Sequence, residues 1–213
     1  MELSYWENLF EERIRKSPNG DDPAHDILHV KRVVSLAGRL CAIEGGKIEI
    51  VTPAAWLHDF VVVPKDSSLR KQASKLSAEA AIEFLDSIHY PAQYFDEIFH
   101  AIEAHSFSAN IKAKSIEAKI VQDADRLDGI GAIGIARCFA TSGLLKRAFY
   151  EPADPFCKKR APDDLNFTMD HFFKKLFRIP ETLQTHAGRL EAQQRVKVME
   201  SYLESLAREL MEP

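Results

Sequence analysis

The pair His58-Asp59 closes an apolar run, "AAWLHDF". Burying a carboxylate costs several kcal/mol unless it is paired or bound to a cation. The plain account is that Asp59 merely ends a helix. The alternative is a metal site, and two other positions bear on it. His29, in "AHDILHVKRV", lies four residues before Val33 and so beside the apolar side of its helix. Asp125, in "QDADRLDGIGAIGIAR", lies among the apolar positions Ile120, Val121, Ala124 and Leu127. One imidazole, an imidazole–carboxylate pair and a second carboxylate form a mixed nitrogen and oxygen set. Such a set suits a divalent metal with water positions left open. Adjacent helix residues point in different directions, so His58 and Asp59 share one ion only if it sits beside the helix end.

Asp123 and Asp125 stand about 200° apart on a regular helix, so both cannot face one site. Asp128, three residues after Asp125, shares its face and could orient water or substrate. His25-Asp26 repeats the dipeptide in a first helical turn, where a carboxylate complements the helix dipole and needs no metal. His100 and His105 are five apart, matching neither i+3 nor i+4. His89, His171 and His186 belong to no constellation.

The elements that must position these groups read as helices. Ser4 and Glu7 form a capping box, and Trp6, Leu9, Phe10 and Ile14 mark one face. After the loop "SPNGDDP", Asp22 caps and Pro23 opens a second helix. Ile27, Val30, Val34, Ala37 and Cys41 face inward along it, and Gly45-Gly46 ends it. "KIEIV" alternates and reads as a short strand with no evident partner. Thr52-Pro53 restarts a short helix into His58-Asp59, and "VVVPKDSS" follows as a loop. Ser77 caps a helix carrying Ala81, Ile82, Leu85 and Ile88. Another begins near Pro91, with Phe95, Ile98, Phe99 and Ile102 inward. The stripe Ile116, Ile120, Val121, Ala124 and Leu127 gives a further helix, and "GIGAIGIARC" packs through its small residues. "EPADPFCKKRAPDDLNF" reads as a long polar loop where mobility is expected. The aromatic stripe Phe167, Phe172, Phe173 and Phe177 follows, as core or as a surface that stacks a base, with core the preferred reading. A long helix from about Pro180 ends the chain. The period predicts an all-α protein of eight to ten helices in a single domain, residues 1–213, with the last helices an addition that docks against the rest.

Composition narrows the class. The 213 residues are 46% hydrophobic and 28% charged, as in a soluble globular chain. A net charge of −4 gives no global attraction to nucleic acid or to an anionic membrane. Three scattered cysteines, Cys41, Cys138 and Cys157, form no C-x-x-C and imply a reducing compartment. The N-terminus shows no signal-peptide pattern. "GIGAIGIARCFATSGLL" holds Arg137 and falls short of the ~20 apolar residues of a membrane span. A cytoplasmic location is expected.

The ordered set H…HD…D, with its flanks, resembles the HD-domain phosphohydrolases. The pattern falls on His29, His58-Asp59 and Asp125. "LHDFVVVPKDSSLRKQASKLSAEAA", "AIEAHSFSA", "QDADRLDGIGAIGIAR" and "DHFFKKLFRIPETLQTHAGRLEAQQR" are similar to one bacterial branch of uncharacterised HD hydrolases that includes nucleotide pyrophosphohydrolases. The likeness runs over roughly residues 20–200. It implies an HD helical core over about 20–145 and a C-terminal helical extension over about 165–213. It implies a divalent ion (Mn2+, Mg2+, Fe2+, Co2+, Ni2+ or Zn2+) on His29, His58, Asp59 and Asp125. Asp59 and Asp128 become the candidates for catalysis. Lys65, His105, Arg126, Lys175 and Arg189 become the candidates for substrate contacts. The activity implied is hydrolysis of a nucleoside triphosphate to monophosphate and pyrophosphate. A 5′-nucleotidase and a cyclic-nucleotide phosphodiesterase are alternatives within that chemistry, and a metal-bound helical sensor or a di-iron oxygenase lies outside it. The expected partner is a small phosphorylated molecule, with neither nucleic acid nor membrane, and self-association into a homo-oligomer stays open.

Overall fold

The structure is a computed structural model, and it describes residues 3–16, 26–63, 67–106 and 109–211. Among these residues there are nine α-helices and no strand. They are α1 (Leu3–Lys16), α2 (Ile27–Glu44), α3 (Ile48–Leu57), α4 (Ala73–Ser87), α5 (Phe95–His105), α6 (Ile116–Asp128), α7 (Gly131–Leu144), α8 (Asp170–Lys174) and α9 (His186–Met211). Short 3₁₀ turns cover Ser68–Gln72, Ala92–Tyr94 and Leu176–Thr182. The described chain gathers into two compact units, one of residues 1–125 with 184–188, the other of 126–183 with 189–213.

The first unit holds α1 to α5 and most of α6. Its core includes Phe10, Val33, Leu40, Val51, Leu57, Leu85, Ile98, Ile102 and Ile120. Helix α2 starts where Asp26 accepts a hydrogen bond from the His29 backbone N–H at 2.9 Å. It ends at Gly45, whose φ of +80° suits a residue without a Cβ. Its buried face runs through His29, Val30, Val33, Leu36, Ala37, Leu40 and Cys41, so Val33 rather than the expected Val34 points inward. Asp22 and Pro23, expected to open this helix, lie outside the described residues, as does His25.

Three expectations are corrected here. "KIEIV" is not a strand: α3 begins at Ile48 and runs through Pro53 to Leu57, wedged against α1, α2 and α5. Burial of nearly every residue from Ile50 to Leu57 overrides the alternation in the sequence. Ser4 and Ser77 lie inside α1 and α4 and do not cap them. Glu7 is engaged by Trp56 Nε1 at 3.3 Å, and the Ser77 hydroxyl bonds Val61. The last helix begins at His186, not near Pro180, because Pro180 sits in a 3₁₀ turn and Thr185 supplies the cap, its Oγ1 accepting from Gly188 N at 3.0 Å.

The second unit is built on α7, α8 and α9. Phe172, fully buried, packs on Phe139 and stacks on Tyr202, with Met169, Met199 and Leu203 completing its core. Gly134 faces the Gly129 carbonyl so closely that no Cβ fits there, whereas Ala132 and Ala136 of "GIGAIGIARC" are exposed rather than packed. The Pro-rich segment 151–166, expected to be mobile, is tied down. Arg160 grips the buried Asp170 carboxylate with both Nη atoms, the second at 2.8 Å, and Asp163 N donates to it at 2.6 Å. Asp154 accepts from Lys158 N and Lys159 N.

Candidate metal centre

Two of the histidines are aimed by the helices they terminate. His58 follows the last residue of α3, and His105 is the last residue of α5. The carbonyls of a final helical turn lack intrahelical partners. His58 Nδ1 uses one of them, Ala55 O at 2.8 Å, and His105 Nδ1 uses Ile102 O at 2.6 Å. A carbonyl only accepts, so each Nδ1 carries a proton and each Nε2 points the other way, into the cluster. Both rings are buried, with centroids 5.0 Å apart.

His29, buried in the first turn of α2, faces His58 with Nε2 to Nε2 at 3.3 Å. Asp125 Oδ1 from α6 lies 3.5 Å from His29 Nε2 and 3.9 Å from His58 Nε2. Asp59 bridges the other side, with Oδ2 3.4 Å from His58 Nε2 and Oδ1 3.4 Å from His105 Nε2. The carboxylates are the open side of the cluster, their side chains 37% exposed for Asp59 and 27% for Asp125.

This donor set fits a divalent cation. Bonds of about 2.0–2.2 Å place two ligands of one ion roughly 3–4 Å apart, and the separations of 3.3 to 3.9 Å here fall in that range. One donor atom each from His29, His58 and Asp125 lies within 4.8 Å of the others. The electrostatics agree. Burial pushes the His58 imidazole towards its neutral form, but the Asp59 and Asp125 carboxylates outweigh this and raise it to about 9. Burial likewise pushes Asp59 up, and His58 and His105 more than reverse it, leaving the carboxyl well below the usual range. The cluster is a place that holds positive charge.

The structure thus brings together His29, His58, Asp59, Asp125 and His105. Three of the other candidates have partners elsewhere. The Asp128 carboxylate is buried and accepts from Arg137 Nη1 at 2.7 Å. Arg126 Nη1 donates to Thr182 O at 2.7 Å, and Arg189 Nη1 to Leu183 O at 3.1 Å. Lys175 is exposed after α8, and Lys65 lies outside the described residues.

Two residues support the site in ways the sequence does not indicate, Ser77, which reads there as a helix cap, and Gln122. Ser77 Oγ accepts from Val61 N at 3.0 Å and so fastens the chain two residues past Asp59. Gln122 Nε2 donates to Ala104 O at 2.7 Å, beside His105. Periodicity carries no signal for either, since each is a polar residue inside a packed helix.

Comparisons with known proteins place this geometry. A family model described as "HD domain" matches residues 27–130. The uncharacterized protein YpgQ of Bacillus subtilis (strain 168) is 32% identical over 194 residues, 89% of this chain and 86% of that protein. The crystal structure of Bacillus subtilis YpgQ in complex with ADP superposes with a TM-score of 0.75 at 30% identity, covering 96% of this chain and 97% of that one. The crystal structure of an HD-superfamily hydrolase from Bacillus thuringiensis also gives a TM-score of 0.75 at 30% identity, over 97% of both chains. With that family match and these relatives spanning nearly its whole length, the chain belongs to the HD-domain superfamily of metal-dependent phosphohydrolases.

Proposed function

We propose that this hydrolase acts on nucleotides, converting a nucleoside triphosphate to the monophosphate and pyrophosphate, with His29, His58, Asp59 and Asp125 holding one divalent cation. The observation that carries the cation is the pair of imidazole Nε2 atoms 3.3 Å apart, flanked by two carboxylates. Two imidazole nitrogens and two carboxylates converging this closely offer the donor set that a divalent cation takes. The nucleotide rests on likeness: the Bacillus subtilis relative was crystallised with ADP, and it matches this chain almost end to end. The imidazole share of the donor set favours a transition metal such as Mn2+, Fe2+, Co2+, Ni2+ or Zn2+ over Mg2+.

When bound, the cation supplies charge beside the phosphate and lowers the pKa of a water to roughly 7–9. The chain's own residues do the rest. The Ala55 and Ile102 carbonyls fix the tautomers of His58 and His105. The proton of the attacking water passes to the Asp59–His105 pair, whose Oδ1 and Nε2 stand 3.4 Å apart, with the imidazole taking the charge and the carboxylate stabilising it. Lys65, six positions after Asp59 in the sequence, is the candidate contact for the phosphates beyond the cleaved bond.

The test is a product analysis. Mn2+-loaded protein is given deoxyadenosine triphosphate, and the products are separated by ion-exchange chromatography. Monophosphate and pyrophosphate in equal amounts are expected, with no diphosphate. Stepwise release of inorganic phosphate, or turnover of monophosphates alone, would overturn the proposal in favour of a 5′-nucleotidase. Asp59→Ala should lose both the metal, by elemental analysis after dialysis, and all hydrolysis. Full metal content in that variant would refute the ligand set.

A further inference from the structure

Asp123, two residues before Asp125 on α6, is fully buried. Its carboxylate accepts from Gln184 N at 3.0 and 3.1 Å, Thr185 N at 2.8 Å and Thr185 Oγ1 at 2.7 Å. Gln122, its neighbour, joins the same segment: its Oε1 accepts from Gln184 Nε2 while its own amide nitrogen donates to Ala104 O. Glu44, the last residue of α2, accepts from Ala187 N at 2.6 Å. A Cβ on Gly188 would stand 2.7 Å from Asp123 Oδ2, so the approach is as close as a glycine permits. Apolar side chains would dock a segment at lower desolvation cost than a buried carboxylate does. What the carboxylate adds is direction, because charge-assisted bonds to fixed backbone donors set the rotation of the helix that carries it.

We propose that Gln184–Thr185 is a clasp that fixes two walls of the metal centre, with Asp123 and Gln122 as positioning residues. Asp123 sets the angle of α6 at Asp125. Gln122 ties Ala104, and with it His105, to the same segment. The proposal rests on the ligand reading of Asp125 and its neighbours.

Three variants of the full chain test it: Thr185→Val, which keeps the shape and removes the hydroxyl, Thr185→Ser, which restores it, and Gln184→Ala. The readouts are the Kd for Mn2+ from the electron paramagnetic resonance of free ion, the visible absorption of bound Co2+, and thermal melting. Thr185→Val and Gln184→Ala should weaken Mn2+ by about tenfold or more, the size seen when supports of metal ligands are removed. They should also shift the Co2+ band, at a temperature where both remain folded. Thr185→Ser should bind like the wild type. If Thr185→Val does not fold, Gln184→Ala decides, since it leaves the Asp123 bonds in place. Should the variants bind Mn2+ with unchanged Kd and Co2+ spectrum, whatever their melting temperatures, the clasp is only structural and the proposal falls. A wild-type protein that binds neither ion would overturn the ligand assignment and the clasp with it.

Discussion

His58 and His105 owe their orientation to standing at helix ends. Each uses a carbonyl that the helix itself leaves unbonded, and each thereby turns its Nε2 into the cluster. Asp59 then depends on the path of the chain just beyond it. That path is held at Val61, whose N–H donates to Ser77 Oγ, a hydroxyl almost wholly buried. Ser77→Ala would take the partner from a part-buried N–H, at a cost of roughly 1 kcal/mol. We expect the Val61 amide to exchange markedly faster in that variant by NMR, and the denaturation midpoint to fall. An unchanged exchange rate at Val61 would show that the serine does not hold the loop.

Helix α3 delivers His58 despite a proline in its interior. Pro53 has no N–H, so the Glu49 carbonyl four residues earlier loses its intrahelical donor. Tyr90 repairs the gap: its hydroxyl donates to Glu49 O at 2.6 Å from a nearly fully buried ring. Burial also pushes the Tyr90 hydroxyl well above its ordinary pKa, so it remains a donor at any working pH. Tyr90→Phe keeps the packing on Trp6 and Phe10 and removes only this bond. A loss of roughly 1 kcal/mol is expected, because a part-buried carbonyl loses its donor. Urea unfolding curves that superpose for the two proteins would show that Glu49 O does not need the tyrosine.

At the scale of the molecule, stability against acid has an identifiable contributor. Asp170 is wholly buried, which pushes its carboxyl up, but Arg160 and the Asp163 N–H more than compensate and hold it below the ordinary value. A carboxyl depressed in the folded state contributes stability that is complete above its unfolded pKa of about 3.9. That contribution is lost as pH falls through the lower folded value. Asp170→Asn should therefore be less stable than the wild type at pH 7 by about 3 kcal/mol, the scale of a broken buried pair. The difference should shrink as pH drops below about 4. Chemical denaturation at pH 7, 5, 4 and 3 checks this, and a gap that stays constant or widens in acid would contradict it. Among the described helices none is long and apolar enough to cross a membrane.

The sequence by itself determined the helical class, because apolar residues recur at the helical period through most segments. It also singled out His29, His58, Asp59 and Asp125, because metal-binding side chains at the edges of apolar runs are unusual and their order matches a family pattern. His105 could be named from its motif alone. Only the tertiary structure decided which polar residues inside helices matter. Gln122 and Asp123 lie on the side of α6 that periodicity reads as outward, yet every residue from Ile120 to Ala124 is buried. Their partners, Ala104, Gln184 and Thr185, are 18 to 62 residues away in the chain. The strand pattern of "KIEIV" misled for a related reason. Alternation signals one buried face, whereas α3 is enclosed on nearly all sides and its polarity no longer reports its geometry. Long-range closure, not local preference, fixes what surrounds a buried helix, and a one-dimensional pattern does not contain it.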